Sequence, residues 1–187
     1  MFVPFLNKVM TIAVQTITTM AVSMTLYIGS QVLTFCSFID NHNGSINDLV
    51  EDGDTLLHLC CLYGYLPCVQ LLVERGANLE PKDEEGAIPL HDACAGGFIE
   101  IVQYIINSAG NADFVKRMLE TTDAEGDTPL HHAARGEHLN VVHLLLQAGA
   151  SPKTTNVYGM KPAELAESDP VRSTLEAAAA TDSIISG

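Results

Sequence analysis

Basic residues are scarce in this chain. Only 9 Lys and Arg stand against 23 Asp and Glu in 187 residues, a formal charge of −14. The shortage excludes a nucleic-acid ligand, because neutralising phosphates requires a basic face. The region from Ser45 onward holds 22 acidic and 8 basic side chains, and so carries the whole net charge. Cysteine is sparse as well: the five cysteines are odd in number and fall at small-residue or helix-facing places instead of in spaced pairs. That pattern argues against a disulfide scaffold and for a reducing compartment. Adjacent Cys60 and Cys61 on one helix point in different directions and suit neither a mutual bridge nor a shared metal. Catalytic signatures are missing too. No nucleophile stands in a recognisable turn beside His91-Asp92 or beside His132 and Arg135. The Gly-Ala and Gly-Gly pairs lack the strand, helix and lysine of a phosphate loop. Neither an enzyme nor a cofactor or metal is expected.

What the chain does have is a period. Gly53, Gly86, Gly126 and Gly159 open four variants of one phrase: Gly53-Asp54-Thr55-Leu56-Leu57-His58, Gly86-Ala87-Ile88-Pro89-Leu90-His91, Gly126-Asp127-Thr128-Pro129-Leu130-His131 and Gly159-Met160-Lys161-Pro162-Ala163-Glu164. Their spacings are 33, 40 and 33 residues, the mark of stacked copies of one unit. Small residues follow each phrase (Cys60-Cys61, Ala93-Cys94, Ala133-Ala134, Leu165-Ala166), and the first three copies then run into apolar helical stretches around Val69–Val73, Ile101–Ile106 and Val141–Leu146. The punctuation predicts two short antiparallel helices per unit. Thr55 and Thr128 are N-cap candidates, Pro89, Pro129 and Pro162 suit the first helical position, and Gly76 and Gly149 suit a left-handed helix end. Small side chains at 60, 61, 93, 94, 133 and 134 let neighbouring first helices lie close.

These phrases resemble the ankyrin repeat, whose motif of about 33 residues carries Thr-Pro-Leu-His near one end and Gly-Ala near the other. The resemblance covers roughly Leu49 to Ala180. It implies an all-α solenoid of helix-turn-helix repeats with β-turn or hairpin loops, spanning 45–180 with units at about 50–82, 83–122, 123–155 and a partial closing unit at 156–180. It also implies that His58, His91 and His131 are hydrogen-bonding struts between units, so that the cluster of His131, His132, His138 and His143 is structural and not a zinc site. The function implied is non-enzymatic recognition of another protein, acting as a monomeric adaptor or scaffold in the cytoplasm or nucleus.

Carried over position by position, the family's partner-facing places fall on Glu51, Asp52, Asp54, Leu62 and Tyr63 in the first unit, and on Glu84, Glu85 and Ala87 in the second. The third supplies Ala124, Glu125, Asp127 and Arg135, and the last supplies Tyr158. Carboxylates dominate this row and Arg135 is its one cation. A basic segment of a partner is the expected complement, with Leu62, Tyr63 and Tyr158 as apolar anchors; the competing reading is solvated loop charge.

The longer spacing between the second and third units places an insertion within Asn107–Asp123. Phe114, Val115, Met118 and Leu119 recur there at helical intervals, predicting an extra helical turn projecting before the third finger. Pro162–Glu167 and Pro170–Ala180 read as the closing helical pair, and 181–187 as a frayed tail.

Residues 1–44 stand outside the period. No charge lies between Lys8 and Asp40, and Val9–Gly29 is an apolar, helix-compatible stretch of 21 residues, the length of a membrane helix. Several threonines, serines and glutamines dilute it. Lys8 before it and the acids after it would put the repeats on the outer or lumenal side of a single-pass protein. A cleaved signal peptide, a cap folded onto the first unit, and a retained intron end around Phe35–Asp40 compete with the membrane reading.

Overall fold

The computed structural model describes residues 45–49 and 53–185, with side chains described as far as Thr181. Among these residues the elements are all helical: α1 (Leu56–Leu62), α2 (Leu66–Glu74), α3 (Pro89–Ala95), α4 (Ile99–Ser108), α5 (Ala112–Glu120), α6 (Pro129–Arg135), α7 (Leu139–Gln147), α8 (Pro162–Leu165) and α9 (Asp169–Ile185). They form two rows. The inner row stacks α1, α3, α6 and α8, and the outer row stacks α2, α4, α7 and α9, with each inner helix paired to the outer helix that follows it. The reading as a helical solenoid with the predicted period is correct.

Close stacking of the inner row follows from side-chain size. Cys60, Cys61, Ala93, Cys94, Ala133 and Ala134 are all fully buried, and a bulkier side chain at any of them would overpack the stack by about 1–3 kcal/mol. Leu57, Leu90 and Leu130 from the inner row meet Leu72, Ile105 and Leu145 from the outer row in one continuous apolar interior. Burial of each such side chain contributes about 1.5–3 kcal/mol.

The turns within units are keyed by rings and glycines. The Phe98 ring fills the space beside Gly64 and Gly96, where an added Cβ would lie 2.4 Å and 2.3 Å from it. His138 does the same one unit on, with a Cβ on Gly97 falling 2.4 Å from its ring and its Nε2 2.8 Å from the Ala95 carbonyl. Gly64 and Gly97 also sit at φ 77° and 73°, a region that side chains disfavour. At the corresponding place in the third unit stands Glu137, at φ 61°. Its carboxylate accepts hydrogen bonds from the Glu167 and Ser168 amides and the Ser168 hydroxyl, fixing the chain just before α9. Those bonds pull the carboxyl below its ordinary range, the Ser168 hydroxyl most.

Two sequence-based extents are corrected. The insertion is a full helix of nine residues and not a projecting turn: Asn111 caps it by accepting from Phe114 N–H at 2.8 Å, and buried Met118 and Leu119 dock it on the stack. Arg117 reaches Glu80 at 3.4 Å, and Lys82 donates to the Thr122 carbonyl at 3.3 Å, so the insertion is also tied to the loop leading into the second finger. The final helix does not stop near Ala180 but runs to Ile185. The N-cap positions of Thr55 and Thr128 are right, but the cap at each is supplied by a histidine, as described below. The apolar segment 1–44 lies outside the described residues, and no helix among those described is long and apolar enough to cross a membrane.

Candidate functional site

The second, third and fourth fingers are tight turns closed by their own backbone and braced by an Asx side chain. In the second, Gly86 N–H donates to Asp83 C=O at 3.1 Å and Asp83 N–H to Ala87 C=O at 3.0 Å; the third repeats this with Gly126, Asp123 and Asp127, and the fourth with Gly159, Asn156 and Met160. The side chains of Asp83, Asp123 and Asn156 accept further amides of their own turns. Neighbouring tips are joined as well. Ala124 N–H donates to Glu85 C=O at 2.7 Å and Val157 N–H to Glu125 C=O at 2.9 Å.

A histidine strut links each of these three fingers to the unit before it. His58 Nδ1 accepts the Thr55 amide at 3.0 Å, and its Nε2 stands 3.3 Å from Ala87 C=O. His91 spans Ile88 N–H and Asp127 C=O in the same way, and His131 spans Thr128 N–H and Met160 C=O. A carbonyl accepts only, so Nε2 carries the proton and Nδ1 the lone pair: each ring is held as one neutral tautomer. Burial lowers the pKa of all three, and that of His91 falls to about 4. Both ring nitrogens are thereby committed, which removes His58 as a ligand for a cation beside Asp54 and Asp83.

These struts, turns and two-row helices repeat in the pattern that the sequence period demands. The family model described as Ankyrin repeats (3 copies) matches residues 27–113 and 107–156, well over half of the chain. The chain belongs to the ankyrin repeat family. Ankyrin repeats are in general protein-interaction modules, and the finger side of this ankyrin stack is where its candidate residues gather.

Two of those residues face inward, contrary to the sequence-based assignment. Asp127 is fully buried and Ala87 nearly so. Asp127 accepts from Asn156 Nδ2 at 2.8 Å and from the guanidinium of Arg135, so it binds the third finger to the fourth. Arg135, also 3.7 Å from Glu125, serves as the internal counter-ion at this level. Beside it His132 Nε2 lies 2.8 Å from Asp123 Oδ2, with its ring edge-on to His91 at 5.2 Å. Burial pushes the Asp123 carboxyl up, but the bonds from His132 and from the Asp127 amide outweigh this and leave it below its ordinary value. The Asp123, Asp127 and His132 grouping, close enough to hold an ion, is thus spent on protein partners.

The other candidates are open to solvent. Glu84, Glu85, Ala124, Glu125 and Arg135 are exposed and Asp54 half-buried; Leu62 and Tyr63 are each 44% exposed and Tyr158 64%. Leu62 and Tyr63 end the first inner helix, whereas Tyr158 tips the fourth finger, so the anchors lie at opposite ends of the described face. Glu51 and Asp52 lie outside the described residues.

One residue of this face was missed as a candidate. Asp92 occupies on α3 the place that His132 occupies on α6. Its Oδ2 is buried without a hydrogen-bond partner, and burial first, then the charges of Asp54, Asp83 and Glu85, raises its pKa to about 8. The missed signal was available in the aligned phrases: Asp92 and Ala95 stand where the next unit has His132 and Arg135, so the acids persist while the basic partners are replaced.

Proposed function

We propose that this chain is a non-enzymatic recognition module that binds a basic segment of another protein, along the finger side of its first two units. Asp92 carries the reading. At the level of the second and third fingers, Arg135 and His132 meet the carboxylates from within the chain. One level earlier Asp92 faces Asp54, Asp83 and Glu85 with a buried oxygen that makes no hydrogen bond. A lysine or arginine from a partner supplies there what Arg135 supplies next door, and a guanidinium can do so in two directions at once. Leu62 and Tyr63, at the same end of the stack, provide apolar contact area, with Tyr158 as a more distant anchor. The fingers are already braced by turn and tip-to-tip hydrogen bonds, so docking costs little ordering entropy.

The four free, buried thiols among the described residues support a reducing location, the cytoplasm or nucleus. A membrane-tethered form of the same module depends on residues 9–29; fractionation of the full chain against a version starting at Ser45 separates the two.

The test is binding of fluorescent peptides of equal length, one arginine-rich, one neutral and one acidic. The arginine-rich peptide is expected to bind tightest, with an affinity that falls as salt rises. Ala95→Arg places a cation over the acids from within the chain, on an exposed position at the end of α3. It should abolish capture, as should Glu84→Lys with Glu85→Lys, while helicity and melting are unchanged. Equal binding of all three peptides, or undiminished binding by both variants, refutes the reading.

A further inference from the structure

The second and third units place Ala93 and Ala133 on their inner helices and Ile101 and Val141 on their outer helices at matching positions, all no more than 1% exposed and in one core. A shared backbone link sets the spacing. Phe98 N–H donates to Ala93 C=O at 3.0 Å, His138 N–H to Ala133 C=O at 3.0 Å, and Tyr65 N–H to Cys60 C=O at 2.9 Å. In the first unit both members of the pair are sulfur: Cys60 on α1 and Cys68 on α2, buried to 0% and 2% exposure and joined thiol to thiol by a hydrogen bond. Cys68 N–H in turn donates to Tyr65 C=O at 3.0 Å, closing the two helix ends around the pair.

We propose that Cys60 and Cys68 form a disulfide clasp between the two helices of the first unit, driven by a peroxide. The inference stands apart from the recognition reading. Cys68 is the attacking sulfur, because the hydrogen bond from Cys60 lowers its pKa despite burial. Burial raises Cys61 and Cys94 instead, and leaves them inert. The Cys68 thiolate attacks one oxygen of hydrogen peroxide, the O–O bond breaks, and hydroxide leaves and is protonated to water, giving a sulfenic acid on Cys68. The Cys60 sulfur then gives up its proton and attacks that sulfur; the S–S bond forms, the S–O bond breaks, and a second water departs. Peroxide accepts the two electrons that the thiols lose. The reagent enters through opening of the α1–α2 turn, where Leu62, Tyr63 and Pro67 are exposed. The finished bond fixes the turn that carries two of the apolar anchors.

The test treats the reduced full-length protein with hydrogen peroxide, caps remaining thiols with iodoacetamide in denaturant, and maps the peptides by mass spectrometry. Chymotrypsin is the protease, since no Lys or Arg lies between Lys8 and Arg75. Cys60 and Cys68 should disappear together into a linked peptide, lighter by two hydrogen atoms and restored by dithiothreitol, while Cys61 and Cys94 stay alkylated. Cys68→Val puts back a residue found at this place in a later unit, and Cys60→Ser removes the second thiol while keeping a hydrogen-bond donor beside Cys68. Cys60→Ser should leave a Cys68 sulfenic acid that a dimedone probe captures, and Cys68→Val should leave Cys60 reduced. Consumption of Cys60 and Cys68 no faster than that of Cys61 and Cys94, or failure of Cys60→Ser to yield the trapped sulfenic acid, overturns the proposal.

Discussion

The second and third levels of this stack share a backbone and differ in their electrostatics. At the third, Asp127, Arg135, Asn156, His132 and Asp123 form a closed set in which each carboxylate has named partners. At the second, Ala87 replaces Asp127, Ala95 replaces Arg135 and Asp92 replaces His132, and burial among Asp54, Asp83 and Glu85 raises the Asp92 pKa to about 8. The repeat thus fixes geometry while leaving open how the charge between fingers is settled. One level is completed inside the chain, and the other holds a buried carboxyl oxygen that makes no hydrogen bond.

The largest effect that breaks this contrast is expected from Asp127→Ala. It strands Asn156 and removes the buried partner of Arg135, and should cost about 3 kcal/mol in urea unfolding, since breaking a buried pair exceeds what a surface pair is worth. Next come the proton-linked effects, which oppose one another on adjacent residues. His91 has a folded pKa near 4 against 6.5 when unfolded. The unfolded chain therefore binds more protons between these values, and stability falls as pH drops through that window. Asp92 has a folded pKa near 8 against 3.8; the folded chain holds the extra proton, and stability falls as pH rises from about 4 through 8. Asp92→Asn should accordingly unfold later than the parent near pH 9, by on the order of 1–3 kcal/mol. It should also lose stability more steeply on acidification, because the opposing contribution is gone. Melting curves at several pH values check both signs. A smaller effect is expected from Glu137→Ala, which keeps the left-handed backbone but deletes the bonds to Glu167 and Ser168. It should lower the melting temperature and speed exchange of those two amides, leaving α1 to α4 unchanged. The smallest belongs to Lys116→Ala: its contact to Glu120 is an exposed pair at 3.8 Å, worth about half a kcal/mol or less.

Much of this architecture was legible because glycine, proline and the Leu-His pair mark fixed backbone requirements. Gly76 and Gly149 do adopt positive φ, Pro89, Pro129 and Pro162 do open helices, and the three struts do span units. A position that varies in a repeat was taken to face a partner, yet Asp127 shows that it can face the next finger when Arg135 and Asn156 are within reach. The insertion was read as a projection because its apolar residues could be counted but their docking on α6 could not. Asp92 was overlooked although the aligned phrases set Asp92 and Ala95 against His132 and Arg135; the fold adds which acids surround it. The pairing of Cys60 with Cys68 was invisible, since periodicity places each thiol on a helix and says nothing of the facing helix.

The ring-over-glycine fit gives the stack a reading direction. Each of the first two units ends its inner helix with a hollow that only the ring of its successor fills, while the third presents Glu137, a side chain that no ring can cover. Shuffling the order of these units would drive an aromatic side chain against that carboxylate, so the segments are not interchangeable bricks. Glu137 works as a different kind of socket: it receives the backbone ahead of α9 where the earlier units receive a ring.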